Sequence, residues 1–185
     1  QTISLSHKNM GEVIGLDVGF LRESKTLLGS YSSGAFSFGE NNTTAFAKVK
    51  LVRKLFGETS MIGAVTLGRT NVGTTGISSL FSNFTPILSR SFVTGLQTRA
   101  FGGMLTMTYS NPIGIISGTT QFEDANGNVR NISLRSTKQE QDYGVSFARE
   151  TKNGTISFQG AYILNQNNLD VKPTLGFFGT WGREI

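Results

Sequence analysis

One histidine, His7, and no cysteine set the limits on what chemistry this chain can perform. A zinc site of several histidines cannot be built, and neither disulfides nor cysteine-based metal or redox centres are available. A Ser/His/Asp triad would have to use His7. That residue sits in a weakly patterned stretch, Thr2 to His7, with no distinctive motif beside it, and reads as a surface or strand-pairing residue. Asp17 falls mid-strand between Gly15 and Gly19, where a buried acid would draw attention. The preferred reading is an interior carboxylate paired with Lys48, Lys50 or Arg99. The run Asp124-Ala-Asn-Gly-Asn128 has the opening residues of a calcium loop, yet the bidentate Glu is missing at its required place. The glycine-containing stretches lack the Lys-Ser/Thr of a phosphate loop and open no helix. The residues therefore predict no catalytic site, no metal and no cofactor: the chain reads as non-enzymatic.

The elements that would carry these residues are strands. Asp142 to Gln166 is the clearest pair: Tyr143, Val145 and Phe147 alternate with Gly144, Ser146 and Ala148. After Lys152-Asn153-Gly154, Ile156, Phe158 and Tyr162 alternate with Ser157, Gln159 and Ala161. Asn-Gly between two alternating runs predicts a hairpin with a type I′ turn. Earlier in the chain, Glu12 to Arg22 sets Ile14, Leu16, Val18 and Phe20 against Gly15, Asp17 and Gly19. Further strands are predicted from Gly34 to Gly39 (Phe36 and Phe38 on one side), Thr44 to Arg53, Ser60 to Arg69, Arg90 to Ala100 and Met104 to Ser110. Asn111-Pro112 is expected to break the last of these. Ile113 to Phe122 and Val129 to Arg135 follow, joined by a second Asn-Gly signal, and a final strand after Pro173 sets Leu175, Phe177 and Trp181 against Gly176, Phe178 and Thr180. The stretch Glu23 to Ser33 reads as a loop. The connection from Thr70 to about Ser89 is the longest irregular piece, and Leu80, Phe81 and Phe84 predict that it packs on something.

Chain length fits one β domain over residues 1–185, and the abundance of Gly and Phe with few charges fits a turn-rich aromatic β protein. The net charge of +5 is spread without a stripe, which argues against nucleic acid. No stretch approaches the roughly 18 apolar residues of a membrane-spanning helix, but spanning strands need only about 10 residues in alternation. Because the sequence opens at Gln1 without Met or a signal peptide, it is expected to be a processed product or a piece of a longer precursor.

A soluble sandwich should put long charged side chains on the solvent face of each strand. Here the face opposite the apolar one is mostly Gly, Ala, Ser and Thr. The apolar set is Ile14, Leu16, Val18, Phe20, Tyr143, Val145, Phe147, Ile156, Phe158, Tyr162, Leu175, Phe177 and Trp181, facing lipid in a barrel or a core in a sandwich. The polar set is Asp17, Lys48, Lys50, Gln97 and Arg99, facing a lumen. Tyr143, Tyr162 and Trp181 are candidates for interfacial aromatics. The fold expected is an all-β antiparallel meander of about 10–12 strands closed into a barrel, with a soluble β-sandwich as the alternative.

Several short segments together resemble the C-terminal region of alphaproteobacterial subtilisin-like proteases and autotransporter-like surface proteins. They are Phe20-Leu-Arg-Glu23, Leu28-Gly-Ser30, Ser33-Gly-Ala-Phe-Ser-Phe-Gly39, Gly68-Arg69, Ser91-Phe92 and Ser110-Asn-Pro-Ile-Gly114. The resemblance implies a β region that anchors or exports an N-terminal passenger of the same precursor at the outer membrane or cell surface. No protease catalytic residue carries over. The strands from Gly34 and Val129 are short for spanning. The alternative is a secreted, soluble β domain that self-associates or binds a surface through sheet edges and the Thr70–Ser89 connection.

Overall fold

In the computed structural model, which describes residues 1–24, 26–28, 30–31, 41–73 and 79–182, the alternating runs become one antiparallel meander. The strands are β1 (Thr2–Asn9), β2 (Glu12–Glu23), β3 (Thr26–Leu27), β4 (Ser30–Tyr31), β5 (Asn42–Phe56), β6 (Thr59–Asn71) and β7 (Phe81–Ser82). They continue with β8 (Ile87–Ala100), β9 (Gly103–Ser117), β10 (Thr119–Glu123), β11 (Val129–Ser133), β12 (Gln141–Thr151), β13 (Gly154–Leu164) and β14 (Thr174–Gly182). Nine of them form the main sheet in the order β1-β2-β5-β6-β8-β9-β12-β13-β14, and β11-β10-β7 and β3-β4 form two small sheets. The only helical turn among the described residues is a 3-10 turn at Gln166–Asn168.

The two ends of the main sheet differ. At one end the strands are joined by two-residue turns at 10–11, 57–58, 101–102 and 152–153. At the other end the links are 24–41, 72–86, 118–140 and 165–173, and these hold the small sheets. The register drifts steadily in one direction across the sheet. Ser6 pairs with Gly15, then the ladder runs through Lys50, Ala64, Val93, Ser110, Asp142 and Ile163 to Thr174. It enters near the short-turn end of β1 and leaves at the first residue of β14, at the opposite end. Such stagger is what a sheet needs in order to curl toward a cylinder. The sheet is not closed: β1 and β14 each pair on one side only among the described residues.

Curvature has a local cause on one face. Gly95 pairs with Thr108, Thr108 with Gly144, Gly144 with Ala161 and Ala161 with Gly176, a row of small residues crossing five strands. A Cβ on Gly95 would run into the Met107 carbonyl, and one on Gly144 would lie 2.5 Å from Thr108 Oγ1. The backbones can approach on this face only because side chains are missing there.

Several sequence expectations change. Asn111-Pro112 does not end a strand: β9 runs through it, and the register shifts between Arg90 and Phe92 absorb the extra residues, a bulge being where a strand tolerates proline. The expected strand Ile113–Phe122 is instead divided by Gly118, at φ 147°, into the end of β9 and β10 of a side sheet. The turn at the β12–β13 hairpin is Lys152-Asn153; positive φ falls on Gly154, so it is not the expected type I′. The Glu23–Ser33 loop contains the β3–β4 hairpin. The Thr70–Ser89 connection is shorter than expected and contributes β7, whose Phe81 packs against Phe122 and Phe84 at ring separations of 5.8 and 6.4 Å. The strand predicted over Gly34–Gly39 lies outside the described residues. The Val129 strand belongs to the side sheet, so its shortness does not bear on the main wall.

Candidate functional site: an apolar outer face around a polar inner face

Because strands alternate, the pairings decide which side chains share a face. Ile14, Leu16, Val18 and Phe20 of β2 line up with Leu51, Val49, Ala47 and Ala45 of β5, then with Gly63, Val65, Leu67 and Arg69 of β6. On the far side Tyr143, Val145 and Phe147 pair with Tyr162, Gly160 and Phe158, and these continue to Leu175, Phe177 and Gly179. All thirteen apolar residues singled out in the sequence therefore fall on one face. Apart from Phe147 and Ile156, which are half-buried, they are exposed, Phe177 to 79% and Trp181 to 63%.

The extent of this face is unusual. Eight inter-strand steps of about 4.8 Å and an apolar height of roughly 20 Å give roughly 750 Å², above the ~300–600 Å² of the largest patch on an ordinary monomer. Ile87 is the one buried hydrophobic residue among those described. The described residues thus hold no apolar core to compensate for the apolar exterior. Arginines bound the band, with Arg53 and Arg149 toward the short turns and Arg69 and Arg90 toward the long links. Near the long-link end, Phe92, Tyr109, Tyr143 and Tyr162 form a row across four neighbouring strands, with ring separations of 5.4, 5.0 and 6.4 Å. Tyr109 and Phe92 extend the predicted aromatic pair Tyr143 and Tyr162. Trp181 stands near the other end of its strand, opposite Ile156.

The inner face carries the polar set. Asp17 is nearly buried and pairs with Lys50 at 2.6 Å, although its register partner is Lys48. Arg99 reaches Glu58 at 3.7 Å at the short-turn rim, not Asp17. Gln97 lies opposite Ser60 and Thr106. Hydroxyls pair between strands, Thr44 with Thr70 at 2.7 Å and Ser157 with Thr180 at 2.5 Å. Two phenylalanines are exceptions: Phe178, exposed opposite Gln159, and Phe46, which with Thr44, Thr66, Ser91, Leu28 and Ile113 bounds a cavity of about 420 Å³ beneath the long links. The lysine and arginine side chains are largely exposed, so their ion pairs contribute only about 0–1 kcal/mol each.

Side-chain amides organise the long-link end, and sequence reading did not single them out. Asn42 is fully buried: its amide donates to the Thr26 carbonyl at 2.6 Å while its oxygen accepts the Gly73 N–H at 2.9 Å. Asn111 donates to the Glu140 carbonyl at 2.6 Å, and Asn168 accepts the Glu140 N–H and donates to the Ile113 carbonyl. Asn165 donates to the Gln139 carbonyl, and Arg90 to the Gln139 side chain. The available signal was the density of Asn at strand ends, a residue that both bonds locally to backbone and tolerates positive φ, as Asn41, Asn165, Asn167 and Asn168 do here. Asn42→Ala should leave a buried carbonyl and N–H without partners, a cost of about 1–3 kcal/mol. The expected result is faster proteolysis within the 24–41 and 72–86 links with the nine-stranded sheet intact; unchanged cleavage would remove Asn42 from this role.

The Asp124 turn is closed by hydrogen bonds to its own carboxylate. Asp124 Oδ1 accepts the N–H groups of Asn126 and Asn128 at 2.9 and 3.0 Å, and the Asn128 amide donates to both carboxylate oxygens. The Asn128 side chain first, then the backbone N–H groups, hold this carboxyl below its ordinary range. A lowered folded pKa stabilises the turn above the unfolded value near 3.9 and loses that stabilisation as pH falls through the folded one. Amide exchange at Asn126 and Asn128 should therefore accelerate in acid below about pH 4, beyond the intrinsic trend. Asp124→Asn should abolish that step.

Comparison with family models, curated proteins and solved structures finds no match for this chain.

Proposed function

We propose that this chain forms the wall of a β-barrel at the outer membrane or cell surface and serves as an anchor or translocator for a passenger of the same precursor, without catalysis of its own. The observation that carries this reading is the inverted polarity of the sheet: a continuous apolar face outside, mostly small and polar side chains inside with Phe46, Val52 and Phe178 among them, and no apolar core among the described residues. A bilayer is the solvent in which such a surface is stable. Most wall strands, at 11 to 15 residues for β2, β5, β6, β8, β9, β12 and β13, meet the roughly 9–11 needed to span. Short turns at one end and long links at the other agree with the arrangement of outer-membrane barrels, as does an aromatic row near one edge of the band. The partners on this reading are membrane lipid and the passenger.

A second reading, a soluble extracellular β domain that assembles through its edges, is favoured by one observation, the unpaired outer sides of β1 and β14. Flotation with liposomes separates the two, together with heat-modifiable migration on a gel after reconstitution. Insertion with heat modifiability supports the barrel. A monodisperse or self-assembled chain in plain buffer that ignores lipid overturns it.

A further inference from the structure

The two edges of the main sheet point the same way. β1 runs from the long-link end into the 10–11 turn, and β14 enters from the 165–173 link and also runs toward the short-turn end. This follows from the odd number of strands in an antiparallel meander. Pairing β14 directly with β1 would therefore make one parallel seam in a sheet where every other ladder is antiparallel. A second copy does not remedy it. Copies sharing one bilayer orientation are related by rotation about the membrane normal, which brings β14 beside the other copy's β1, again in parallel. Single-chain bacterial barrels are even-numbered for the same reason.

The edges also lack the features that keep an unpaired strand apart from others. Thr174–Gly182 contains no charged residue and no proline, and β1 has a charged side chain only at Lys8, beside the turn. Both strands are exposed along their whole length. Uncharged, proline-free edges are templates for further pairing. Each edge continues the outer apolar row of the wall, with Ile3 and Leu5 opposite in facing to Ser4 and Ser6, and with Leu175, Phe177 and Trp181 opposite in facing to Gly176, Phe178 and Thr180.

We propose that the seam between β14 and β1 is filled by an odd number of further β-strands from another polypeptide segment, apolar at every second residue, with each strand next to an edge running antiparallel to it. The inference rests on the membrane reading, which fixes the common orientation of copies. The absence of cysteine makes thiol reporters unambiguous. Ser6→Cys and Thr180→Cys place one thiol each on the inner face toward the short-turn end of β1 and of β14. Liposome-inserted variants would be mixed with a nine-residue peptide of alternating Leu and Ser carrying one cysteine, activated as its 2-pyridyl disulfide, at either its N- or C-terminal end, so that the protein thiolate displaces 2-thiopyridone. Antiparallel docking brings the peptide's N-terminal end beside both thiols, so mixed disulfides should form at least tenfold faster from the N-terminal cysteine with both variants. Equal reactivity, or preference for the C-terminal cysteine, overturns the inference. So does a disulfide within one chain, or between copies, formed with an added copper–phenanthroline oxidant in any of the four double-cysteine pairings of Ser4 or Ser6 with Gly176 or Thr180. A chain that fails to float with liposomes counts against the membrane reading, whereas one that floats and closes its own seam overturns only this inference.

Discussion

Val65→Arg is expected to weaken partition of the chain into liposomes by roughly 30- to 700-fold, the equivalent of about 2–4 kcal/mol for a basic residue on the lipid face near the midplane. Val65 is central for two reasons. It lies half exposed on the outer face of β6, between Gly63 and Leu67, and its ladder partners are Val49 and Phe92. Its diagonal neighbours on β8 are Thr94 and Arg90, neither of them an acid, so the added guanidinium gains no ion pair on this face. The neighbouring inner-face change Thr66→Arg adds the same charge to the same strand and should leave partition within about threefold of the wild-type value, because lumen positions tolerate charge. Equal loss from both substitutions would show that β6 had been disrupted without regard to face, and equal tolerance would remove lipid from the outer surface. The expectation inverts for a domain that buries this face against protein. There, Val65→Arg would unfold or dissociate the chain in plain buffer, with no liposomes needed.

Gly95→Val should destabilise the wall itself. The added side chain would meet the Met107 carbonyl and the Thr108 backbone on the adjacent strand, and neither can move without opening the β8–β9 ladder. Overpacking of this kind costs typically about 1–3 kcal/mol, and a backbone obstacle puts the change at the upper end. The measurement is the temperature or denaturant midpoint of the reconstituted protein, with Gly176→Val as the comparison. Gly176 ends the same small-residue row but has nothing near the position of its missing Cβ. Gly176→Val should be nearly neutral. If both valines behave alike, close backbone approach is not the reason for the glycine at 95.

The strands of the wall were legible in the sequence because their signal is local. An apolar residue at every second position identifies β2, β12 and β13 regardless of what they pack against, and the same alternation already assigns Asp17, Lys48 and Lys50 to the face opposite Leu16 and Val49. What was not legible depended on contacts between distant segments. Pro112 reads as a break in any single strand, and only the compensating register shift against β8 makes room for it. The side sheet joins Phe81 to Phe122 across much of the chain, and nothing near either residue announces the other. Asn42 resembles any turn asparagine until Thr26 and Gly73 converge on it. The choice of Lys50 over Lys48 or Arg99 as the partner of Asp17 likewise depends on the diagonal reach of a long side chain, which spacing alone leaves open.

The unequal ends of the meander bear on how such a wall could enter a bilayer at all. Whatever end leads must carry its polar groups through hydrocarbon, at several kcal/mol for each backbone group left without a partner. The leading edge made of two-residue turns would take few such groups across, whereas the opposite edge would have to drag the side sheets, the Asp124 turn and the asparagine network with it. On the barrel reading, entry would be vectorial, with the compact turns crossing first and the bulky links acting as a stop. The lengths of the connections would then set a single sidedness before any targeting machinery acts, and reconstitution from one side should yield one orientation by protease accessibility of the 118–140 link.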